Sequence, residues 1–193
     1  MLIMVMALSK DKKYNYKDYL TWNDEEKREL IDGYVYDMTP GPSRIHQEIS
    51  ANLLSDLLAY FRGKPCKVFH APFDVRLSFG ENEEDIKNVV QPDIVIVCDK
   101  NKLDDRGCLG SPDLVIEIIS ASTAKKDLNE KFNLYEKASI EQYWVVYPYE
   151  KELFIYCLVN GKYDDGTKYK VGQAISSEKF AGLTIRLKDI FSE

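Results

Sequence analysis

Gln91-Pro-Asp-Ile-Val-Ile-Val97 and Ser111-Pro-Asp-Leu-Val-Ile-Glu-Ile-Ile119 are the two runs that decide the fold. Each contains Pro-Asp followed by β-branched residues and is too short for a helix, which is how buried central strands read. Downstream, residues 124–138 return to helical spacing, with Leu128, Phe132, Tyr135 and Ala138 on one face. Gln142-Tyr-Trp-Val-Val-Tyr147 is a further strand, closed by Pro148. Upstream, Ile45, Ile49, Leu53 and Leu57 recur every four residues in a helix that Ser43 caps and Gly63 stops. Val68, Ala71, Phe73, Val75 and Leu77 then alternate with polar residues as in one half-buried strand. From 43 to 147 the order is α-β-β-β-α-β. That predicts an α/β fold: a mixed (α+β) sheet with helices packed on it.

The flanks add β structure at both ends. Glu29 to Met38 turns at Asp32-Gly33, after a charged stretch that predicts a short helix or two. Gly80 to Asp85 reads as a hairpin-like loop and Asp99 to Ser111 as a turn-rich loop. Leu153 to Val159 and Tyr163 to Val171 form a hairpin around Asn160-Gly161, and Leu183 to Leu187 ends the fold. No repeat or linker divides the 193 residues, so one domain over 1–193 is expected, its core at about 43–147.

The net charge of −6 disfavours tight, sequence-independent binding to polyphosphate. It leaves room for a divalent cation, which local acidity attracts. The run Met1 to Leu8 is apolar but far short of the roughly 20 residues a bilayer requires. Neither a signal peptide nor a membrane span is expected. Cys66, Cys98, Cys108 and Cys157 contain no C-x-x-C pair, so they are expected as free thiols in a reducing cytoplasm, Cys98 and Cys157 as small buried hydrophobes.

Glu117 is the only charge within Leu114–Ile119. A buried carboxylate costs several kcal/mol unless it is protonated, ion-paired or metal-bound, and an ion pair with the next helix and a metal site are both open. Asp113, four residues away on the same face, stands about 13 Å off, too far to share one cation. Asp93, at the head of the preceding strand, is placed to approach Glu117 laterally. Lys131 borders the buried face of the second helix and can reach toward Glu117, unless it is solvated like Lys125, Lys126 and Lys137. Asp127 reads as the cap of that helix, with Glu130 at the reciprocal position. His46 and Glu48 open the first helix, where a satisfied structural histidine and a surface acid are the plain alternatives. Asp74 lies on the polar side of its strand and becomes a third carboxylate only if that side is a cleft.

Taken in order, Leu30-Ile-Asp-Gly33, Ser43-Arg-Ile-His46, Ala71-Pro-Phe-Asp-Val-Arg-Leu77, the two Pro-Asp strands, Asp127…Lys131…Tyr135 and Glu141-Gln-Tyr-Trp-Val-Val146 resemble the Uma-two family of the restriction-endonuclease-like, PD-(D/E)XK fold group. The resemblance covers roughly residues 28–147 and implies the same α-β-β-β-α-β core. It implies a nuclease that hydrolyses phosphodiester bonds with Mg²⁺ or Mn²⁺ held by Asp93 and Glu117. Glu48 would be the auxiliary acid of the first helix, with His46, Asp74 and Tyr135 as further auxiliary candidates. The group's usual lysine, two residues beyond the acid, is Ile119 here, and Lys131 would replace it. The implied partner is nucleic acid, DNA ahead of RNA, with a homodimer as the form that cuts both strands. A different class competes: an inactive relative serving as a binding or oligomerisation module, with the aromatic segment Tyr143 to Tyr169 as its interface.

Overall fold

The computed structural model describes residues 8–191 except 10, 23–25, 39–40, 81, 121–123, 125 and 178. The expected extended start of the chain, up to residue 7, and Lys125 lie outside the described residues. A short helix α1 (Tyr16–Tyr19), capped by Asn15, leads to the hairpin β1 (Arg28–Ile31) and β2 (Tyr34–Asp37). The long helix α2 (Arg44–Phe61) follows, its first turn capped by the Ser43 hydroxyl, which accepts from the His46 N–H. Strands β3 (Lys67–His70), β4 (Val75–Ser78), β5 (Ile86–Val90), β6 (Ile94–Val97), β7 (Leu103–Asp104), β8 (Gly107–Leu109) and β9 (Leu114–Ile118) run to a π-helical turn at Lys126–Lys131 and helix α3 (Phe132–Lys137). The chain ends through β10 (Gln142–Tyr147), β11 (Glu152–Val159), β12 (Lys162–Tyr163), β13 (Thr167–Lys170), β14 (Ala174–Ser176), β15 (Thr184–Arg186) and α4 (Leu187–Ile190).

One sheet has the order β12-β11-β10-β9-β6-β3, with β13 also on β11. It contains the α-β-β-β-α-β core as α2, β3, β6, β9, α3 and β10, with β9 and β10 parallel and β6 antiparallel to β9. The excursions between these strands build a second sheet, β2-β1-β5-β4-β8-β7. This corrects two expectations. The alternating run 68–77 is not one strand: it breaks at 71–74, β3 staying in the first sheet and β4 crossing to the second. The turn-rich loop after residue 99 contains the hairpin β7–β8, which joins β4.

Side-chain alternation assigns the layers. Ile94, Ile96, Leu114, Ile116, Trp144 and Val146 pack with Ile49, Leu53, Leu57 and Phe61 of α2. Val95, Val97, Val115, Tyr143 and Val145 face the other way, onto Val75, Leu77 and Val90 of the second sheet and Leu134 and Tyr135 of α3. Within the aromatic segment Tyr143 is buried, and Tyr143, Tyr156 and Tyr163 make ring contacts with Phe132, while Tyr149 is exposed. Among the described residues no helix is long and apolar enough to cross a membrane.

The expectation of four free thiols is also corrected. Lys67 pairs with Val97 in the β3–β6 ladder, so Cys66 and Cys98 fall opposite one another and are joined as a disulfide. Both lie half-buried, as does Cys157, and Cys108 is buried; the last two are left as thiols. The bridge closes a loop with a sequence separation of 32, and constraining a loop of that size stabilises a fold by about 2–4 kcal/mol. Urea unfolding of the oxidised protein and of Cys66→Ser is expected to differ by that amount. Equal stabilities would show that the bridge does not form in solution.

Candidate active site

The alternation that fills the core also aims the charges. Leu114, Ile116 and Ile118 of β9 face α2, so Glu117 turns with Val115 toward the second sheet and α3. In the antiparallel β6–β9 pair Ile94 lies opposite Ile116 and Val95 opposite Val115. One further step of that register brings Asp93 opposite Glu117, where side chains of neighbouring strands meet. The Asp93 carboxylate accepts a hydrogen bond from the Ile118 backbone N–H at 2.7 Å and lies 3.3 Å from His46 Nε2. His46 reaches it because the Ser43 cap starts α2 beside this end of the sheet. Burial opposes the charged imidazole, but Asp93 outweighs that and raises the His46 pKa, with Ile118 and Asp127 adding to the effect.

Lys131 and Tyr135 stand four residues apart on one face of the helix beneath the sheets. Lys131 Nζ donates to Glu117 Oε1 at 2.7 Å and the Tyr135 hydroxyl donates to the same oxygen at 2.8 Å. Lys131 also lies 2.9 Å from Glu29 Oε1 and 3.7 Å from Asp127 Oδ1. It is only 3% exposed, so its stem is buried and its ammonium is enclosed by carboxylates. Burial works against that ammonium, yet Glu117, Glu29 and Asp127 hold its pKa well above the ordinary lysine value. The Glu117 pKa is raised too, to about 8: burial is the largest cause, Asp127, Asp93 and Glu29 add to it, and Lys131 only partly offsets them. Asp127 lies inside the π-helical turn and is buried there. The Tyr143 hydroxyl ties that turn to the sheet by donating to the Asp127 carbonyl at 3.0 Å.

Glu29 and Lys126 are the members that the sequence reading missed. Glu29, 0% exposed on β1, is bridged by Lys126 at 2.5 Å and Lys131 at 2.9 Å and accepts from the Gln91 backbone N–H at 2.8 Å. Burial raises its pKa, but the two lysines and that N–H leave it lowered overall. Lys126 is correspondingly not solvated. A signal was present: Glu29 shares strand parity with Ile31, whose side chain is in the core.

Other candidates lie elsewhere. Glu48 forms an exposed ion pair with Arg44 at 2.5 Å. Asp74 sits in the β3–β4 connection, accepting from Gln91 Nε2 at 2.7 Å and Tyr19 Oη at 3.4 Å, its pKa raised by burial. Asp113 accepts from the Cys98 N–H at 2.7 Å and pairs with Lys179 at 3.0 Å. The Ile119 side chain is buried in the core where the fold group's usual lysine would stand.

Chemically, Glu29, Asp93, Glu117 and Asp127 face the cations Lys126 and Lys131 and the ionisable His46. Among the described residues no three His, Cys, Asp or Glu side chains are placed to enclose a metal ion by themselves. Magnesium is characteristically held by one or two carboxylates with water and substrate phosphate completing the shell, and the Asp93–Glu117 pair fits that demand.

Residues 16–188 match the Uma2 family, described as "Putative restriction endonuclease". The chain belongs to the Uma2 family. This Uma2 protein is 28% identical over 157 residues to the uncharacterized protein slr1290 of Synechocystis, covering 80% of the chain and 77% of that relative. It is 27% identical over 135 residues to the uncharacterized protein sll1609 of the same organism, covering 68% and 72%. Its fold is similar to the crystal structure of "a putative nuclease belonging to DUF820" from Anabaena variabilis, with TM-score 0.73, 20% identity and coverage of 93% and 98%. Family and fold together indicate a restriction-endonuclease-like nuclease.

Proposed function

We propose that the protein is a metal-dependent endonuclease that hydrolyses phosphodiester bonds of nucleic acid, DNA ahead of RNA, with Asp93 and Glu117 as the ligands of Mg²⁺ or Mn²⁺ and Lys131 as the catalytic cation. The observation that carries it is the register that sets Asp93 opposite Glu117 with Lys131 Nζ already 2.7 Å from Glu117. When bound, the cation lowers the pKa of a water and offsets charge on the phosphoryl oxygens. The chain's own residues supply orientation. Tyr135 fixes the Glu117 carboxylate, His46 and the Ile118 N–H fix Asp93, and Glu29 keeps Lys131 charged beside the reacting phosphate. A homodimer would bring two such sites to the two strands of a duplex.

A second reading, a catalytically inactive binding or oligomerisation module, is favoured by one observation: Lys131 already satisfies Glu117 and Glu29 as a buried ion-pair network. Melting of wild type and Glu117→Gln with and without millimolar Mn²⁺ separates the two. The nuclease reading expects Mn²⁺ to stabilise the wild type, by about 2.7 kcal/mol at a hundred times its Kd, and to leave the variant unmoved. Metal-dependent strand cleavage by wild type and its loss in Glu117→Gln complete the test. If neither protein responds to Mn²⁺ and the variant merely melts earlier, Glu117 is half of a structural ion pair.

A further inference from the structure

Lys126 and Lys131 share one carboxylate: Lys126 Nζ stands 2.5 Å from Glu29 Oε2 and Lys131 Nζ 2.9 Å from Glu29 Oε1. The backbone between them is what allows it. On an α-helix, side chains five residues apart point about 140° away from each other, and one of the two would turn outward. Lys126–Lys131 is instead a π-helical turn, which closes on the fifth residue and returns both lysines to the side of Glu29. Single π turns inside helices are rare and recur at functional sites.

The two cations differ in freedom. Lys131 is 3% exposed and enclosed by Glu117, Glu29 and Asp127, so it cannot leave without orphaning buried carboxylates. Lys126 is 14% exposed, and among the described residues it donates to Glu29 alone. An ammonium has three hydrogens to donate, so two remain for another acceptor. Nor does Glu29 depend on Lys126. With that lysine elsewhere, the carboxylate keeps Lys131 at 2.9 Å and the Gln91 N–H at 2.8 Å. The buried member of the pair stays satisfied while the outer member, on a flexible four-carbon stem, moves.

The position is that of the carboxylate site itself. The contacts Lys126–Glu29, Glu29–Lys131 and Lys131–Glu117 measure 2.5, 2.9 and 2.7 Å. That chain holds the Lys126 ammonium within about 10 Å of Glu117, which is one Debye length at 0.1 M salt. A phosphodiester entering there meets Asp93, Glu117, Glu29 and Asp127 on a chain whose overall charge is −6. Its affinity cannot rest on a general basic surface, and a cation able to move toward it carries correspondingly more weight. We propose that Lys126 is a second cation of the substrate site, leaving Glu29 to bind a phosphate oxygen of the nucleic acid engaged at Asp93 and Glu117. This rests on the nuclease reading of that site. Lys131 stays in place beside Glu117, and Glu29 is the resting partner of Lys126.

The test is the affinity of an end-labelled DNA oligonucleotide, followed by fluorescence anisotropy across a KCl series, with EDTA present so that no strand is cut. Wild type, Lys126→Met and Lys126→Arg are compared. Loss of one phosphate contact is expected to weaken binding by Lys126→Met about 5- to 8-fold at 0.1 M salt and to make the slope of log K against log salt shallower by about 0.7 to 0.9. Lys126→Arg is expected to keep the wild-type slope. A lysine that serves only the fold is already neutralised by Glu29, and its loss would leave the slope where it was. Because Glu29 keeps two donors, the melting temperature of Lys126→Met is expected to stay near wild type; should it not fold, Lys126→Gln, which retains a donor for Glu29, takes its place. If the neutral variant binds as wild type does and with the same slope, the second cation is overturned, while metal-dependent cleavage by wild type would leave the nuclease reading standing. If the slope falls as expected but wild type never cuts with Mg²⁺ or Mn²⁺, the phosphate contact stands and the nuclease reading fails. Absence of any DNA binding by wild type overturns the proposal outright.

Discussion

Replacing Lys131 with methionine is expected to destabilise the protein by about 3–5 kcal/mol and to abolish cleavage, and Mn²⁺ is expected to restore part of the lost stability. The magnitude follows from what the ammonium leaves behind. Methionine fills the volume of the buried stem, so the loss is electrostatic rather than a cavity. Glu117 loses a donor at 2.7 Å and Glu29 one at 2.9 Å, both at sites closed to water. Removing one partner from a buried ion pair costs that much because the remaining charge stays desolvated. A divalent cation at Asp93 and Glu117 would supply the missing positive charge, so the Mn²⁺-dependent gain is expected to exceed that of wild type. Urea unfolding with and without Mn²⁺ measures both quantities. A variant as stable as wild type would mean that the cluster carries no net stake in Lys131. A large loss that Mn²⁺ leaves untouched would make the network purely structural.

How far the site was legible depended on whether each residue's clue was local. Glu117 betrays itself because a charge inside Leu114–Ile118 has no solvent to reach, and strand parity then decides its face. Asp93 follows from β6 entering beside β9, and Lys131 from helical spacing with Leu128 and Tyr135. Each inference needs only a period of 2 or 3.6 and one neighbouring element. Glu29 and Lys126 need more. Glu29 is brought in by β1, which pairs with β5 in the second sheet, and its lysine partner is 97 residues away. No local period encodes the packing of one sheet over another. The same limit explains the run 68–77, whose alternation is continuous although Pro72 and Asp74 carry the chain from one sheet to the next. Cys66 and Cys98 were misjudged for a related reason: their pairing is a matter of β3–β6 register, which spacing alone does not contain. Glu48 was singled out by analogy alone, and in the structure its carboxylate pairs with Arg44 one turn earlier in α2.

Glu29→Gln should have the second large effect, with a metal response different from that of Lys131→Met. Glutamine keeps the shape and one acceptor for the Gln91 N–H, so packing is preserved and the change is one of charge. Lys126, 14% exposed, can swing toward water, and Lys131 retains Glu117 and Asp127. The loss is therefore expected at the lower end of the buried-pair range, about 3 kcal/mol. A cycle with Lys126→Met is expected to show coupling, since the two side chains meet at 2.5 Å in a buried setting. If Glu29 serves as the counter-charge of Lys131, the variant keeps its Mn²⁺-dependent stabilisation while losing cleavage in proportion to the misplacement of that lysine. Loss of the Mn²⁺ response in Glu29→Gln would instead make Glu29 a third metal ligand and move the cation deeper, between β1 and β9. Either outcome fixes the function of a carboxylate that a fully buried strand has no packing reason to contain.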